Sequence, residues 1–181
     1  TGEKVLSVQI GPNLETLDPA LNSAVDGGNM ILHTFECLLT VDEEGKLAPG
    51  QAESWETSED GLTWTFHLRD GLKWSDGSDL TANDFVYSWQ RVCDPNTAAP
   101  YAETVLSMVE GYEEAIAGDI TKLNVVAVDD KTLEVHLSSA CSYFGSLAAF
   151  ATLSPVQQAT IEANGDAWAV DASTYISNGS F

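Results

Sequence analysis

Residues 60–71 read Asp-Gly-Leu-Thr-Trp-Thr-Phe-His-Leu-Arg-Asp-Gly, and the period of two inside them decides the class of fold. Leu62, Trp64, Phe66 and Leu68 alternate with Thr63, Thr65, His67 and Arg69, giving a strand one apolar row and one polar row. Asp-Gly pairs at 60–61 and 70–71 punctuate both ends as turns. A one-residue slip would turn the whole apolar row to water, so Leu62, Trp64, Phe66 and Leu68 are expected in a core.

A covering layer follows in the sequence. Thr81-Ala-Asn-Asp84 has the form of a helix start, in which a Thr hydroxyl and an acidic side chain three residues on satisfy each other's orphan backbone donors. Phe85, Val86, Trp89, Val92 and Cys93 then make one apolar stripe, stopped by Asp94-Pro95-Asn96. Strands packed beneath this helix are predicted, with Trp64, Trp74 and Trp89 as core residues. Further on, helical turns fit 102–118. Residues 124–128 and 132–137 read as a hairpin about Asp129-Asp-Lys131, with Leu133, Val135 and Leu137 on one face. Helices are predicted at 143–150 and at 155–163, the second with Pro155 in its first turn and Asn164-Gly165 closing it.

On the N-terminal side, residues 5–10 alternate as a strand ended by Gly11-Pro12-Asn13. A loop around Leu17-Asp-Pro19 precedes a helix carrying Met30, Ile31, Thr34 and Phe35, which is expected to begin after a flexible Asp26-Gly-Gly-Asn29. Residues 38–41 and 47–50 read as extended on either side of a turn at 42–45. Thr1-Gly-Glu-Lys4 leads straight into the first strand, as it would in a processed chain. Asn178-Gly-Ser-Phe181 looks like a turn into a strand that is not there, so a truncated chain is expected.

Charge and composition narrow the function. The chain has 181 residues, 7 Lys plus Arg against 28 Asp plus Glu, and a net charge of −21, with 44% apolar residues to form a core. A field this negative repels phosphate backbones and anionic lipid, which argues against nucleic-acid binding. No stretch approaches the roughly 20 apolar residues of a membrane span, so no direct membrane insertion is expected for this segment.

Cys37, Cys93 and Cys141 are too far apart for a CxxC pair and are read as small buried hydrophobes. His33, His67 and His136 are remote from one another and form no HExxH, so no metal site is expected; His67 and His136 read as solvated residues on polar strand faces. GxSxG, Walker A and GxGxxG motifs are absent. With 28 acidic residues some carboxylate pair must be close in space, which leaves a carboxylate-based hydrolase open.

Above this background stands a series of segments in fixed order: Leu17-Asp-Pro19, Phe35-Glu-Cys-Leu-Leu39, residues 47–55 (Leu-Ala-Pro-Gly-Gln-Ala-Glu-Ser-Trp), residues 60–71, Lys73-Trp-Ser-Asp-Gly77, residues 80–91 and Asp94-Pro-Asn-Thr-Ala-Ala-Pro-Tyr-Ala102. Continued through residues 127–137, Ser142-Tyr-Phe144, Ser154-Pro-Val156 and 176–181, it closely resembles the family 5 extracellular solute-binding proteins. The resemblance implies an α/β fold of periplasmic-binding-protein type II-like architecture, incomplete in this chain. Residues 1–35 would be the first part of a large α/β lobe, 36–157 an α+β inserted smaller lobe, and 158–181 a return into the large lobe.

The same resemblance implies a non-catalytic component of an ABC importer, in the periplasm or as a cell-surface lipoprotein. It would capture short peptides between lobes and deliver them to the permease membrane subunits, without a cofactor. Most of the pocket would lie beyond residue 181. Ser23, Ala24 and Val25 would meet the ligand backbone, and Tyr101 would bring an aromatic side chain to it. The oligopeptide binder of the family that this chain most resembles carries an acidic residue where Ser23 stands, and the family's usual Phe-Glu-Gly-Leu is Phe35-Glu-Cys-Leu38 here. Since other members bind nickel, haem or sugars, the ligand class stays open at this point.

Overall fold

The computed structural model describes Gly11 and residues 14–179. The strand expected at 5–10, the Pro12-Asn13 turn and residues 180–181 lie outside the described residues.

The quoted stretch becomes β4 (Thr63–Leu68), which lies inside a four-stranded sheet between β3 (Ala52–Thr57) and β6 (Thr132–His136), with β5 (Val125–Asp129) at the far edge. All three pairings are antiparallel, setting Phe66 opposite both Trp55 and Leu133 and Trp64 opposite Thr57 and Val135. Trp64, Phe66 and Leu68 are buried, as are Leu133, Val135 and Leu137. Leu62 is half-buried instead of core, because it belongs to the preceding turn: the Asp60 carboxylate accepts its N–H at 3.0 Å. The predicted hairpin forms, its turn held by the Asp129 carboxylate accepting the Lys131 N–H at 2.8 Å.

Across this sheet lies α2 (Ala82–Cys93), burying Phe85, Trp89, Val92 and Cys93, with Val86 half-buried. Its start is the predicted one, with Asp84 accepting the Thr81 backbone N–H at 2.8 Å. Phe144 wedges between Trp64 (5.7 Å) and Trp89 (6.2 Å), while the Trp89 indole donates to the Leu153 carbonyl at 3.0 Å. Trp74 is also buried. The Trp64 indole N–H is buried without a hydrogen-bond partner. β1 (Leu39–Val41) and β2 (Leu47–Pro49) form a separate antiparallel hairpin at the turn predicted over 42–45. The helical turns expected at 102–118 resolve into α3 (Ala102–Leu106) and α4 (Tyr112–Ile116).

Three helix boundaries differ from the sequence reading. α1 (Val25–Thr34) already includes Gly27 and Gly28. A β-carbon on Gly27 would stand 2.1 Å from Asn22 Oδ1, so the glycine permits close packing and is not a flexible break. The helix expected at 143–150 is cut down to α5 (Phe144–Leu147), because Phe150 is extended, and a separate 3-10 turn follows at Ala151–Leu153. α6 (Gln158–Asn164) begins beyond Pro155. Ser88 Oγ on α2 accepts the Val156 N–H at 2.7 Å and holds that segment against α2, while Gln157 keeps an extended ψ of 114°. Gly165 closes α6 at φ +54°, as Asn164-Gly165 implied.

One contiguous core joins residues from Ala20 to Ala169. Residues 34–36 run beside 178–179. The Glu36 N–H donates to Asn178 Oδ1 (3.1 Å), Asn178 Nδ2 donates to the Glu36 carbonyl (2.9 Å), and the Gly179 N–H donates to the Thr34 carbonyl (2.8 Å). A β-carbon on Gly179 would lie 2.6 Å from the Thr34 backbone, so only glycine lets the segments meet this closely.

Candidate functional site

The loop before α1 is tied down from beneath. Asp18, 3% exposed, accepts both guanidinium arms of Arg91 (3.0 and 2.5 Å), the Trp168 indole N–H (3.1 Å) and the Ala20 N–H (3.0 Å). Its carbonyl accepts the N–H groups of Leu21 and Asn22. Asn22 then folds onto the next turn, donating to the Ala24 carbonyl at 3.0 Å and accepting the Ala24 N–H at 3.4 Å. With Asn22 fixed inward, Ser23 is left exposed at the tip and Val25 stands out at the first helical position, 82% exposed.

Facing this loop, Tyr101 precedes α3 and meets the Phe150 ring edge to face at 5.5 Å. Between the two walls lies an open cleft of about 310 Å³. It is lined by Ser23, Ala24, Val25 and Tyr101, the four residues named from the sequence, all of which the structure brings together. Leu32, Asn29, Phe150 and Thr152 also line it and were missed. Val25, Asn29 and Leu32 fall at positions i, i+4 and i+7, so the helical face was readable from spacing alone. Phe150 reaches the cleft only through tertiary packing, which no local pattern encodes.

No lining residue of this cleft is Asp, Glu, Lys, Arg or His. Beneath it, Cys37 is buried, its Sγ 3.2 Å from Ser154 Oγ and donating to the Phe150 carbonyl at 3.4 Å. Burial pushes the Cys37 thiol up to about 11 and the Cys93 thiol up to about 12. All three cysteines are free and buried, and the side chain at Cys37 is absorbed into the core. His67 and His136 sit half-buried on the polar sheet face, near Glu56 (3.8 Å) and Glu134 (3.5 Å), rather than fully solvated. Among the described residues no group of three or more His, Cys, Asp or Glu is placed to hold a metal ion, and no helix is long and apolar enough to cross a membrane.

A packed body that presents a rigidly supported, uncharged cleft has the form of a solute-binding protein. The chain belongs to the bacterial extracellular solute-binding proteins, family 5: the profile of that family's middle region matches residues 46–181. It is 45% identical over 174 residues to the periplasmic oligopeptide-binding protein OppA of Escherichia coli (strain K12), covering 94% of this chain and 32% of that protein. It is 41% identical over 169 residues to the probable deoxycholate-binding periplasmic protein YgiS of the same organism, covering 92% of this chain and 31% of that protein. Among solved structures, Haemophilus influenzae OppA in complex with RPPGFSPFR matches with a TM-score of 0.88 and 42% identity, covering 94% of this chain and 34% of that chain. The chain therefore spans about a third of the length of these relatives.

Proposed function

We propose that this chain forms part of the substrate-binding component of an ABC importer, acting outside the cytoplasm to capture short peptides and hand them to a membrane permease without catalysing a reaction. The observation that carries this reading is the convergence of Ser23, Ala24, Val25 and Tyr101 on one cleft, in a chain whose relative OppA has been solved with a peptide. An extended peptide suits such a site, because its backbone hydrogen bonds supply affinity without reading side-chain identity. Ser23 and Asn29 are exposed at this cleft and make no hydrogen bond through their side chains, so both are available to a ligand's amides.

We further propose the division at 35/36 and 157/158 into a first large-lobe piece, an inserted lobe and a return. Support comes from the sheet and α2, which are contained within 36–157, and from the Asp18–Arg91 pair that would bridge the pieces. A second reading, an amphipathic sterol-like acid as ligand, draws on the YgiS relative and the apolar rim of the cleft.

Titration calorimetry on the full-length protein tests the first reading. A mixed tripeptide and tetrapeptide pool should give saturable heat that Tyr101→Ala weakens at least tenfold, while Val128→Ala on the distant edge strand leaves it unchanged. Saturation by deoxycholate with no heat from peptides would replace the first reading with the second. No saturation by either would remove both.

A further inference from the structure

Four Asp-Gly pairs occur in the chain, at 26–27, 60–61, 70–71 and 76–77. A glycine after aspartate opens the side-chain carboxyl to attack by the next backbone nitrogen, because no β-carbon shields that nitrogen or restricts its rotation. The four pairs share this chemistry and differ in how the fold holds them.

Three are held. Gly27 lies in α1, where helical torsions keep its nitrogen from closing a ring onto the Asp26 carboxyl carbon, and Asn22 and the Thr16 carbonyl leave it no room to turn. The Gly61 N–H donates to the Ser58 carbonyl at 2.9 Å, while the Asp60 carboxylate accepts from Ser58 Oγ (2.6 Å) and the Leu62 N–H (3.0 Å). The Gly77 N–H donates to the Trp74 carbonyl at 2.9 Å, and the Asp76 carboxylate accepts from the Ser78 N–H (2.9 Å) and Gln157 Nε2 (3.0 Å).

Asp70-Gly71, in the turn after β4, has no such restraint. Among the described residues the Gly71 N–H donates to no acceptor, and a β-carbon on Gly71 would meet nothing within 4 Å. The Asp70 side chain is 88% exposed and is paired with the Lys131 ammonium, itself 61% exposed. The hydrogen bond and charge of Lys131 hold the Asp70 carboxyl below its usual range. A pair of two exposed, flexible side chains holds weakly.

We propose that Asp70 is the aspartate at which the folded protein spontaneously isomerises, with water as co-reactant and the Lys131 ammonium as a partial brake. The Gly71 nitrogen attacks Cγ of the protonated Asp70 carboxyl. A C–N bond forms, the nitrogen loses its proton, and the carboxyl hydroxyl leaves as water, closing a five-membered succinimide. Water then adds to one of the two ring carbonyls. Opening at Cγ restores aspartate. Opening at the Asp70 main-chain carbonyl breaks its bond to the Gly71 nitrogen and leaves isoaspartate, whose main chain runs through Cβ and Cγ. Mass and oxidation state are unchanged. Lys131 slows the first step by keeping the carboxylate ionised, since the anion has no hydroxyl to release as water.

The full-length protein, aged at 37 °C and pH 6, provides the test. Isoaspartyl carboxylates are tagged with an isoaspartyl O-methyltransferase and labelled S-adenosylmethionine and located by peptide mapping. Label should accumulate at residue 70 before residues 26, 60 and 76. Isoaspartate from Asn164-Gly165 or Asn178-Gly179 is told apart by its position and by the mass change that deamidation brings. Asp70→Glu keeps a charge for Lys131 but needs a six-membered ring, so it should abolish the label at 70 with an unchanged melting temperature. Lys131→Met should speed labelling at 70 by at least about threefold. First labelling at 26, 60 or 76 would overturn the proposal. So would no label at 70 by the time a free peptide of residues 66–75 is half converted, or an unchanged rate in Lys131→Met.

Discussion

Asp18 and Arg91, 73 residues apart, meet in a two-pronged ion pair whose side chains are 4% and 12% exposed. The pair joins the loop that carries Ser23 to α2, and the Trp168 indole completes the hydrogen bonding of the carboxylate. Removing one partner strands the other charge in a dry site. Arg91→Met should therefore cost about 3–5 kcal/mol. Urea unfolding measures this, and a double Asp18→Leu/Arg91→Met variant should lose less than the sum of the single changes.

Trp64 and Trp89 give opposite forecasts for the same substitution. Trp89→Phe abandons the Leu153 carbonyl, whereas Trp64→Phe discards an N–H that has no partner to lose. Trp64→Phe should be the milder change by about 1–3 kcal/mol, read from denaturant midpoints at constant slope.

The thiols of Cys37 and Cys93 should be silent in the native protein. At pH 8 a thiol with a pKa near 11 is thiolate in only about one molecule in a thousand, and burial withholds even that fraction. A colorimetric disulfide reagent should label neither until denaturant is added. Rapid native labelling of either, located by mass spectrometry, would contradict their placement.

Gly27 and Gly28 sit side by side in α1 but should respond oppositely to alanine. Gly27→Ala drives a methyl into Asn22 and the Thr16 carbonyl and should destabilise by about 1–3 kcal/mol. Gly28→Ala meets only Asn22 Nδ2, at 3.5 Å, and should stabilise by about 0.5–1 kcal/mol through helix propensity. Thermal melts of the two variants decide it.

Hydrogen bonds from Gln157 and Ser78 hold the Asp76 carboxyl below its usual range. A carboxyl pKa lowered by folding stabilises the folded state above the unfolded value, near 3.9, and that stabilisation is lost as pH falls through the depressed value. The stability gap between wild type and Asp76→Asn should therefore be open at pH 7 and narrow progressively below pH 4. A gap constant from pH 7 to pH 2 would rule out this assignment.

What the sequence disclosed was local. The alternation of Trp64, Phe66 and Leu68, the Thr81/Asp84 start of α2 and the turn at Asp129 each lie within a few residues, and their structure follows that spacing. Pairings across the chain were not legible. Asp18 read as part of a loop because its cation lies 73 residues away, and Gly27 read as flexible because the Asn22 side chain that requires it is invisible to helical periodicity. Pro155 was placed inside α6 on local grammar, but its neighbour Val156 is held by Ser88 on α2. For the cleft, Ser23, Ala24, Val25 and Tyr101 came from family likeness, while Phe150 needed the folded chain to bring it beside Tyr101.

The clasp between Glu36 and Asn178 closes a long span of chain. Its two halves are 142 residues apart, and closing a disordered loop of that span costs roughly 4 kcal/mol in chain entropy for only a few hydrogen bonds in return. Condensation of the intervening elements, from the sheet and α2 through α6, would shorten the disordered span and lower that cost. The clasp is therefore expected to close late, as the seal on a finished interior, and in native-state exchange its amides should be among the first to open.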